Sequence, residues 1–279
     1  MRLATIRTKS GTTAVRIDGD VATELDSASI DDLLRSSDWQ SQAETGTGPT
    51  RPTDALDYAP LVTHPTKVLC VGLNYRSHIA ESGRPPPDHP TLFAKFARTL
   101  TGPYDQIVVP EAGAAQVDWE AELAFVIGAT VRAVKPREAA AAIAGYAVAN
   151  DVSMRDWQNR TLQWLQGKAW EATTPIGPHL VTADECAEAA DLRITCEVDG
   201  ELMQDARTSD LVFGPAEVAA YISTFITLEP GDLVLTGTTG GVGAARTPPV
   251  FIRSGQKVRT AIEGLGELVN PVILGHGGM

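Results

Sequence analysis

Residues 118–127 read DWEAELAFVI, and this stretch decides the fold of the chain around it. Its apolar run predicts a β-strand over residues 120–127. Because successive side chains of a strand point to opposite faces, Glu120 and Glu122 share one face. Two carboxylates on a partly buried face repel each other, and a cation held between them removes that repulsion. The alternative is a solvent-exposed strand face, which is the commoner meaning of an isolated pair of this kind.

A second predicted strand, residues 145–150, ends directly before Asp151. A turn at this point would present the Asp151 carboxylate beside Glu120 and Glu122, although nothing in the sequence places the three together. Three carboxylates without Cys or His select a hard cation. The candidate ion is therefore Mg²⁺ or Mn²⁺, with Ca²⁺ as a further candidate.

His78 and Glu81 lie in the segment GLNYRSHIAE, residues 72–81. On a helical turn, side chains three positions apart meet on one face. A carboxylate against an imidazole fixes its tautomer and makes the other ring nitrogen more basic, which a general base for water requires. The alternative is an ordinary surface salt bridge on a short helix.

Two further segments carry candidate substrate contacts. In GKAWEATTPIGP, residues 167–178, Lys168 is either an ordinary exposed lysine or an ammonium that stabilises an oxyanion or enolate in a pocket. In LEPGDLVLTGTTGGVG, residues 228–243, a Pro-Gly turn leads into a predicted strand and a glycine-rich loop. That loop is either a plain turn or a place where backbone N–H groups and hydroxyls approach a carboxylate.

The order of elements predicts an α+β fold with a mixed sheet, because the chain shows neither regular βαβ alternation nor a Rossmann fingerprint. The other predicted strands are residues 2–7, 13–17, 67–72, 106–110, 193–198, 233–236 and 257–262. The predicted helices are residues 29–34, 136–144 and 215–226. Residues 36–54 are polar and rich in Pro, Gly and Thr, which predicts a linker or a long surface loop. We therefore expect a small N-terminal α/β domain with its linker, residues 1–60, before a larger domain, residues 61–279.

Composition narrows the function classes. The net charge of −12 argues against a nucleic-acid partner, because such surfaces need clustered Lys and Arg. Three cysteines without a C-x-x-C pattern indicate neither a disulfide framework nor a thiolate zinc site, and Cys70 is predicted to be a small buried hydrophobe. The N-terminus lacks the apolar region of a signal peptide, and no apolar run is long enough to span a bilayer. We predict a cytoplasmic protein without a membrane partner.

The order of these motifs along the chain closely resembles the fumarylacetoacetate hydrolase family. The resemblance covers about residues 65–272, and several matching motifs in one order make it specific. The matching segments are GLNY with the dyad at 72–81, FAK at 93–95, DWEAEL at 118–123, NDVSMRDWQ at 150–158, GK at 167–168, PIGP at 175–178 and LEPGD to TGT at 228–238.

The resemblance implies a mixed β-roll catalytic domain, usually in a homodimer, that binds Mg²⁺ or Mn²⁺. The N-terminal 60 residues resemble the small, variable domain of bacterial members. Three carboxylates match the metal ligands: Glu120, Glu122 and Asp151. Three side chains match the catalytic groups: His78, Glu81 and Lys168. His78 and Glu81 form a dyad, which the resemblance places on a lid segment. Four side chains match the substrate contacts: Gln158, Thr238, Arg155 and Lys95.

Two positions depart from the family's pattern. Glu171 stands where the family commonly has an Asp shortly after the motif lysine, and Thr239 stands where it commonly has Pro. The first bears on how Lys168 is held, and the second bears on the loop near the distal end of the substrate. Specificity is also expected to lie in SGRPPPDHP, residues 82–90, whose prolines predict a stiff loop.

The reaction we expect is metal-dependent hydrolytic C–C cleavage of an acylpyruvate or 1,3-diketo acid, of the fumarylpyruvate or fumarylacetoacetate type, in aromatic-compound catabolism. His78 would deprotonate water and Lys168 would stabilise the oxyanion, while the pyruvate enolate leaves toward the metal. Decarboxylation of oxaloacetate and isomerisation of 2-hydroxyhepta-2,4-diene-1,7-dioate are alternatives on the same site. A non-catalytic binding protein of this fold is the remaining alternative.

Overall fold

The structure is a computed structural model that describes residues 1–186 and 189–275, and most of its regular elements are strands. The strands are β1 (Arg2–Thr8), β2 (Gly11–Asp18), β3 (Val21–Glu24), β4 (Thr50–Pro52), β5 (Val68–Gly72), β6 (Thr91–Lys95), β7 (Leu100–Thr101), β8 (Ile107–Val109), β9 (Val117–Asp118), β10 (Ala121–Ile127), β11 (Ile143–Asn150), β12 (Ser153–Met154), β13 (Thr174–Thr182), β14 (Arg193–Val198), β15 (Glu201–Arg207), β16 (Leu233–Thr238), β17 (Lys257–Ile262) and β18 (Gly266–Leu274). The α-helices are α1 (Ile30–Leu34), α2 (Trp39–Thr45), α3 (Arg76–Glu81), α4 (Pro136–Ala141), α5 (Arg155–Gln158), α6 (Leu165–Lys168) and α7 (Pro215–Ser223).

One large mixed sheet organises the described residues. Its strands follow the order β4-β3-β2-β1-β13-β11-β10-β16-β5-β6, with β7 beside β13. Most neighbours are antiparallel, whereas β16 runs parallel to β5 and β13 runs parallel to β7. A second sheet has the order β15-β14-β17-β18-β8, and β12 pairs with β9. The predicted fold class, α+β with a mixed sheet, is confirmed.

Strand β10 lies near the middle of the large sheet and is buried on both faces. Leu123 and Phe125 pack into the core shared with the second sheet. Ala124 and Val126 pack into the core on the opposite face, which also contains Leu33 of α1. The two-residue alternation predicted for this strand is therefore confirmed, and the carboxylates at its beginning stand on rigid main chain.

The N-terminal strands join this same sheet, because β1 pairs with β13. The prediction of a linker over residues 36–54 was wrong, since this segment contains helix α2 and strand β4. Trp39 and Ala43 are buried in the core. Their spacing of four residues is the helical signal, which the polar residues between them obscured. The division of the chain near residue 60 stays a prediction.

Other local predictions hold with adjusted ends. Ser29 caps α1, its side chain accepting a hydrogen bond from the Asp32 N–H, and Cys70 is fully buried. Helices α4 and α7 end at Ala141 and Ser223, short of the predicted residues 144 and 226. None of the helices in residues 1–186 and 189–275 has both the length and the apolarity needed to cross a membrane.

Candidate metal centre and active site

Three buried carboxylates meet where β10 begins and β11 ends. The antiparallel register sets Ala121 opposite Asn150. Asp151 follows directly and lies level with Glu120, whose carbonyl oxygen accepts a hydrogen bond from the Asp151 N–H at 2.9 Å. One carboxylate oxygen from each of Glu120, Glu122 and Asp151 lies within 4.8 Å of the others. The three residues are 5%, 1% and 0% exposed, which rules out a solvent-exposed strand face.

Two lysines offset part of this negative charge. Lys168 Nζ lies 2.6 Å from Glu120 Oε2 and 2.8 Å from Asp151 Oδ2. Lys95 Nζ contacts the other Asp151 oxygen, Oδ1. Both ammonium groups are buried, so Lys168 is not an ordinary exposed lysine. These contacts leave three carboxylates facing two ammonium groups.

The two glutamates have opposite electrostatic surroundings. Burial raises the pKa of Glu122 well above its usual range, and the carboxylates of Asp151 and Glu120 raise it further. Burial acts in the same direction on Glu120, but Lys168 and Arg155 outweigh it and lower the pKa to about 2. Among the described residues, the hydrogen-bond donor to the Glu122 carboxylate is the Gly237 N–H, at 2.7 Å.

The chemistry of this donor set fits a hard divalent cation. The triad offers carboxylate oxygens and no sulfur or imidazole nitrogen, as Mg²⁺ and Mn²⁺ prefer. Glu120, Glu122 and Asp151 are therefore the side chains that would hold the ion.

Gly237 brings a backbone donor to the triad. Its φ of +101° lies in the left-handed region that favours glycine, and a Cβ atom here would sit 2.8 Å from the Val71 carbonyl oxygen. Only glycine therefore lets the end of β16 approach β5 this closely and direct its N–H toward Glu122.

Arg155 is anchored on one side by Asp118. Its Nε lies 2.8 Å from Asp118 Oδ2, and its Nη1 lies 2.6 Å from Glu120 Oε1 and donates to Gln158 Oε1 at 2.9 Å. Burial lowers the pKa of Arg155, but the carboxylates of Asp118 and Glu120 reverse this effect and raise it. Nη2 is buried without a hydrogen-bond partner in the part of the chain that the structure describes. Other parts of the Arg155 residue line the cavity described below.

Helix α3 carries the predicted dyad. His78 Nδ1 lies 2.6 Å from Glu81 Oε1, and Glu81 Oε2 accepts a hydrogen bond from the Gly241 N–H at 2.8 Å. With Nδ1 directed at Glu81, Nε2 is the ring nitrogen left to exchange a proton. The His78 and Glu81 side chains are 17% and 23% exposed, so the pair is neither fully buried nor a free surface salt bridge.

A cavity of about 290 Å³ joins the dyad to the triad. Most of the predicted site residues line it, namely His78, Glu81, Glu120, Glu122, Arg155, Gln158, Lys168 and Thr238. Asp151 lies behind this surface, against Lys168. Lys95, predicted as a substrate contact, is not part of the lining and instead contacts Asp151, so the geometry does not support substrate binding by Lys95.

The two departures from the family pattern lie apart from the lysine. Glu171 is exposed and pairs with Arg98, with Glu171 Oε1 3.0 Å from Arg98 Nε. It makes no contact with Lys168 in the described residues, so the expected effect on that lysine has no support. Thr239 is buried, and its carbonyl and hydroxyl oxygens accept hydrogen bonds from Gln204 Nε2.

Sequence reasoning missed Asp118, which connects Arg155 to the glycine-rich loop. The Asp118 side chain accepts hydrogen bonds from Gly243 N–H at 2.7 Å and Ala244 N–H at 2.9 Å while it pairs with Arg155. Its position next to the buried Trp119 and two residues before Glu120 was the available signal.

Comparisons with known proteins agree with this fold. The family model for the fumarylacetoacetate (FAA) hydrolase C-terminal region matches residues 67–273. Oxaloacetate tautomerase FAHD2B, mitochondrial, from Bos taurus is 46% identical over 227 residues, which are 81% of this chain and 72% of that protein. A solved 5-carboxymethyl-2-hydroxymuconate delta-isomerase from Mycobacterium smegmatis superposes with a TM-score of 0.81 at 33% identity, covering 98% of this chain and 99% of its own. A fumarylacetoacetate hydrolase from psychrophilic Exiguobacterium antarcticum gives a TM-score of 0.86 at 29% identity, with coverage of 98% and 99%.

The mixed sheet and the acidic cavity define an enzyme with a candidate divalent-metal centre. The chain belongs to the fumarylacetoacetate hydrolase family, as the order of its motifs predicts. The similar proteins carry hydrolase, isomerase and tautomerase names, so membership of the family leaves the reaction open.

Proposed function

We propose that this enzyme transfers a proton at C3 of a small 2-oxo acid and so interconverts its keto and enol forms. The observation that carries the proposal is that the His78 imidazole lines the same cavity as Glu120 and Glu122. A relative 46% identical to this chain is named an oxaloacetate tautomerase, which makes oxaloacetate the first substrate to test. This name favours isomerisation over the hydrolysis expected from the sequence.

The triad would bind a divalent cation, whose Lewis acidity stabilises negative charge on the 2-oxo oxygen of the substrate. Lys168 adds a positive charge beside it. Burial lowers the pKa of Lys168, but Asp151 and Glu120 reverse this and raise it, so the side chain is an ammonium at neutral pH. Arg155, which also lines the cavity, supplies a further positive charge on the side of the substrate carboxylate.

His78 moves the proton. Its Nε2 takes the proton from C3, the C–H electron pair becomes the C2–C3 double bond, and the carbonyl π electrons move to the 2-oxo oxygen. The imidazolium then returns the proton to that oxygen, which gives the enol, or to C3, which restores the keto form. Glu81 orients the ring and stabilises its positive charge during this exchange.

Hydrolysis of an acylpyruvate, of the fumarylpyruvate or fumarylacetoacetate type, is the second candidate. The specific observation in its favour is the dyad itself, because Glu81 is held by the Gly241 N–H and in turn holds His78. In this reaction His78 takes a proton from water, and the hydroxide attacks the distal carbonyl. The C–C bond then breaks, its electron pair goes to C3 of the pyruvate enolate, and C3 takes up a proton.

Three readouts on purified protein distinguish these reactions. Keto–enol exchange of oxaloacetate, pyruvate release from acylpyruvates and CO₂ release from oxaloacetate are each measured with Mg²⁺ or Mn²⁺ and with a chelator. We expect metal-dependent keto–enol exchange as the fastest of the three. Near-complete activity in metal-stripped protein, or no acceleration of the exchange, would overturn the proposal.

The variant His78→Ala tests the role of the base. General-base catalysis supplies roughly 100- to 10,000-fold, so we expect a loss of that order in both exchange and hydrolysis. Decarboxylation does not require a base that deprotonates water, so it would retain much of its rate. His64→Ala is the matched control, because His64 is exposed and does not line the cavity. Unchanged exchange in His78→Ala would remove the dyad from the mechanism.

We also propose a homodimer, which the family resemblance implies. Light scattering after size-exclusion chromatography tests it, and a monomeric mass at micromolar concentration would contradict it.

A further inference from the structure

Arg84 lines the cavity and is exposed, and we infer that it determines specificity by binding the distal carboxylate of the substrate. For oxaloacetate, the substrate proposed above, this is the carboxylate at C4. This inference rests on the proposed function and deepens it.

Arg84 differs from the other cations of the cavity. Lys168 is engaged with Glu120 and Asp151, and Arg155 is engaged with Asp118 and Glu120. Arg84 lines the cavity, is exposed, and makes no hydrogen bond or ion pair with any residue that the structure describes. Its guanidinium is therefore free to bind an anion without breaking a contact within the protein.

The surroundings of Arg84 favour a carboxylate over a neutral group. Several other lining residues, among them Ser82, Asn159 and Trp164, carry no charge. Glu81, also in the lining, would repel an unpaired substrate carboxylate. A guanidinium offsets that repulsion and binds a carboxylate through two parallel hydrogen bonds. A dicarboxylate therefore gains an ion pair at this end of the cavity that a monocarboxylate lacks.

The loop that presents Arg84 is restrained at both ends. Residues 85–87 are three consecutive prolines, which fix their own φ angles and restrict Arg84 before them to an extended conformation. At the far end, the ring of His89 stacks on Tyr221 of α7, with centroids 6.0 Å apart and an interplanar angle of 16°. These restraints reduce the entropy lost when Arg84 binds an anion.

The test compares oxaloacetate with its 4-methyl ester, which has the same carbon skeleton and the same C3 protons but no distal charge. We expect the wild-type enzyme to prefer oxaloacetate, and Arg84→Gln to reduce that preference about fivefold to tenfold, mainly through KM, as loss of one charge-assisted contact at a partly exposed site predicts. Arg84→Lys keeps the charge and retains part of the preference. Arg137→Gln is the matched control, since Arg137 is exposed and lies outside the cavity.

The outcomes separate this inference from the proposed function. If the wild-type enzyme exchanges both substrates and Arg84→Gln leaves their ratio unchanged, the role of Arg84 is overturned and the proposed reaction stands. If the wild-type enzyme accelerates exchange of neither substrate, the proposed reaction itself fails. If Arg137→Gln lowers the preference for oxaloacetate as much as Arg84→Gln does, the cause is the overall charge of the protein, and the inference is overturned.

Discussion

The triad and the dyad serve one cavity, but the protein holds them in different ways. Glu120, Glu122 and Asp151 stand on or beside β10 and β11, two neighbouring strands within the large sheet, and are almost fully buried. His78 and Glu81 stand on α3, a helix of six residues whose first two residues are exposed. Changes to the triad should therefore alter cation binding and stability, whereas changes around the dyad should alter turnover alone.

Helix α3 depends on contacts from distant parts of the chain. Asp210 ends a 3-10 turn, Thr208–Asp210, and its Oδ2 accepts hydrogen bonds from Ser77 N–H at 3.0 Å and Ser77 Oγ at 2.6 Å. Arg76 donates to the carbonyl oxygens of Asp210 and Leu211 at 3.0 and 2.7 Å. Ile79 of α3 is buried, so the dyad takes its position from packing on this one side and from surface hydrogen bonds to distant residues on the other.

The largest expected effect is that of Glu122→Gln. Loss of a hydrogen bond that orients a metal ligand lowers metal affinity or activity roughly 10- to 100-fold. Replacing a ligand itself should therefore lower kcat/KM by about a thousandfold or more. Without metal, the variant should be more stable than the wild-type protein, because a carboxylate disfavoured by burial and by the charges of Asp151 and Glu120 is removed. Steady-state kinetics with Mn²⁺ measures the first effect, and thermal unfolding with chelator and with Mn²⁺ measures the second.

The control for this variant is Glu111→Gln, which removes an exposed carboxylate outside the triad. It should keep activity and the stabilisation by Mn²⁺. A Glu122→Gln protein that Mn²⁺ stabilises as strongly as it stabilises the wild type would contradict the assignment of the triad as the metal centre.

Lys168→Met should separate cation binding from turnover inside the buried region. Removal of an ammonium 2.6 Å from Glu120 and 2.8 Å from Asp151 makes the triad more negative, so Mn²⁺ should bind at least as tightly. Turnover should fall about 100- to 1,000-fold, as it does when one donor to a developing oxyanion is lost. Calorimetric titration with Mn²⁺ and kcat are the measurements, with the exposed Lys9→Met as control. Weaker Mn²⁺ binding together with lost turnover would show that the lysine supports the metal site instead.

Asp210→Ala should affect the dyad region and leave the triad unchanged. The loss of a capping acceptor costs about 1 kcal/mol of helix stability, so His78 would be in place less often and kcat would fall by up to about fivefold. Asp210→Asn keeps an oxygen that accepts from the Ser77 N–H and should restore most of kcat. Stabilisation by Mn²⁺ should stay as in the wild type. A parallel loss of that stabilisation would mean that the contrast between the two regions is false.

The sequence predicted the parts of the site that depend on local pattern. Alternation along β10 placed Glu120 and Glu122 on one face, and spacing of three residues placed His78 against Glu81. It could not bring Asp151 to the other carboxylates, because that contact depends on the register between β10 and β11.

Contacts between distant segments account for the features of the site that the sequence could not predict. Lys168 has the local context of an exposed lysine, and only the carboxylates of other strands explain its burial. Asp210 and Ser77 are separated by 133 positions, so no spacing rule connects them. Lys95 follows the family motif, yet the end of β6 directs it to Asp151 and not into the cavity.

Acid should destabilise the protein through His179, which lies in β13 and contacts neither region of the site. Burial and, to a smaller extent, the positive charge of Arg2 together lower the pKa of His179 to about 4, and neither ring nitrogen has a hydrogen-bond partner among the described residues. The folded state therefore binds this proton less readily than the unfolded chain does. Stability is complete above the ordinary value of 6.5 and is lost as the pH falls from there toward about 4.

Between pH 7 and pH 5 this linkage amounts to about 2 kcal/mol. Urea unfolding of the wild type and of His179→Gln at both pH values, with chelator present, should show the wild type losing that much more than the variant. Equal losses would remove His179 as the cause. His179→Gln leaves His78 and the triad unchanged. Any turnover that this variant loses between pH 7 and pH 5 would therefore arise at the active site and not from unfolding caused by protonation of His179.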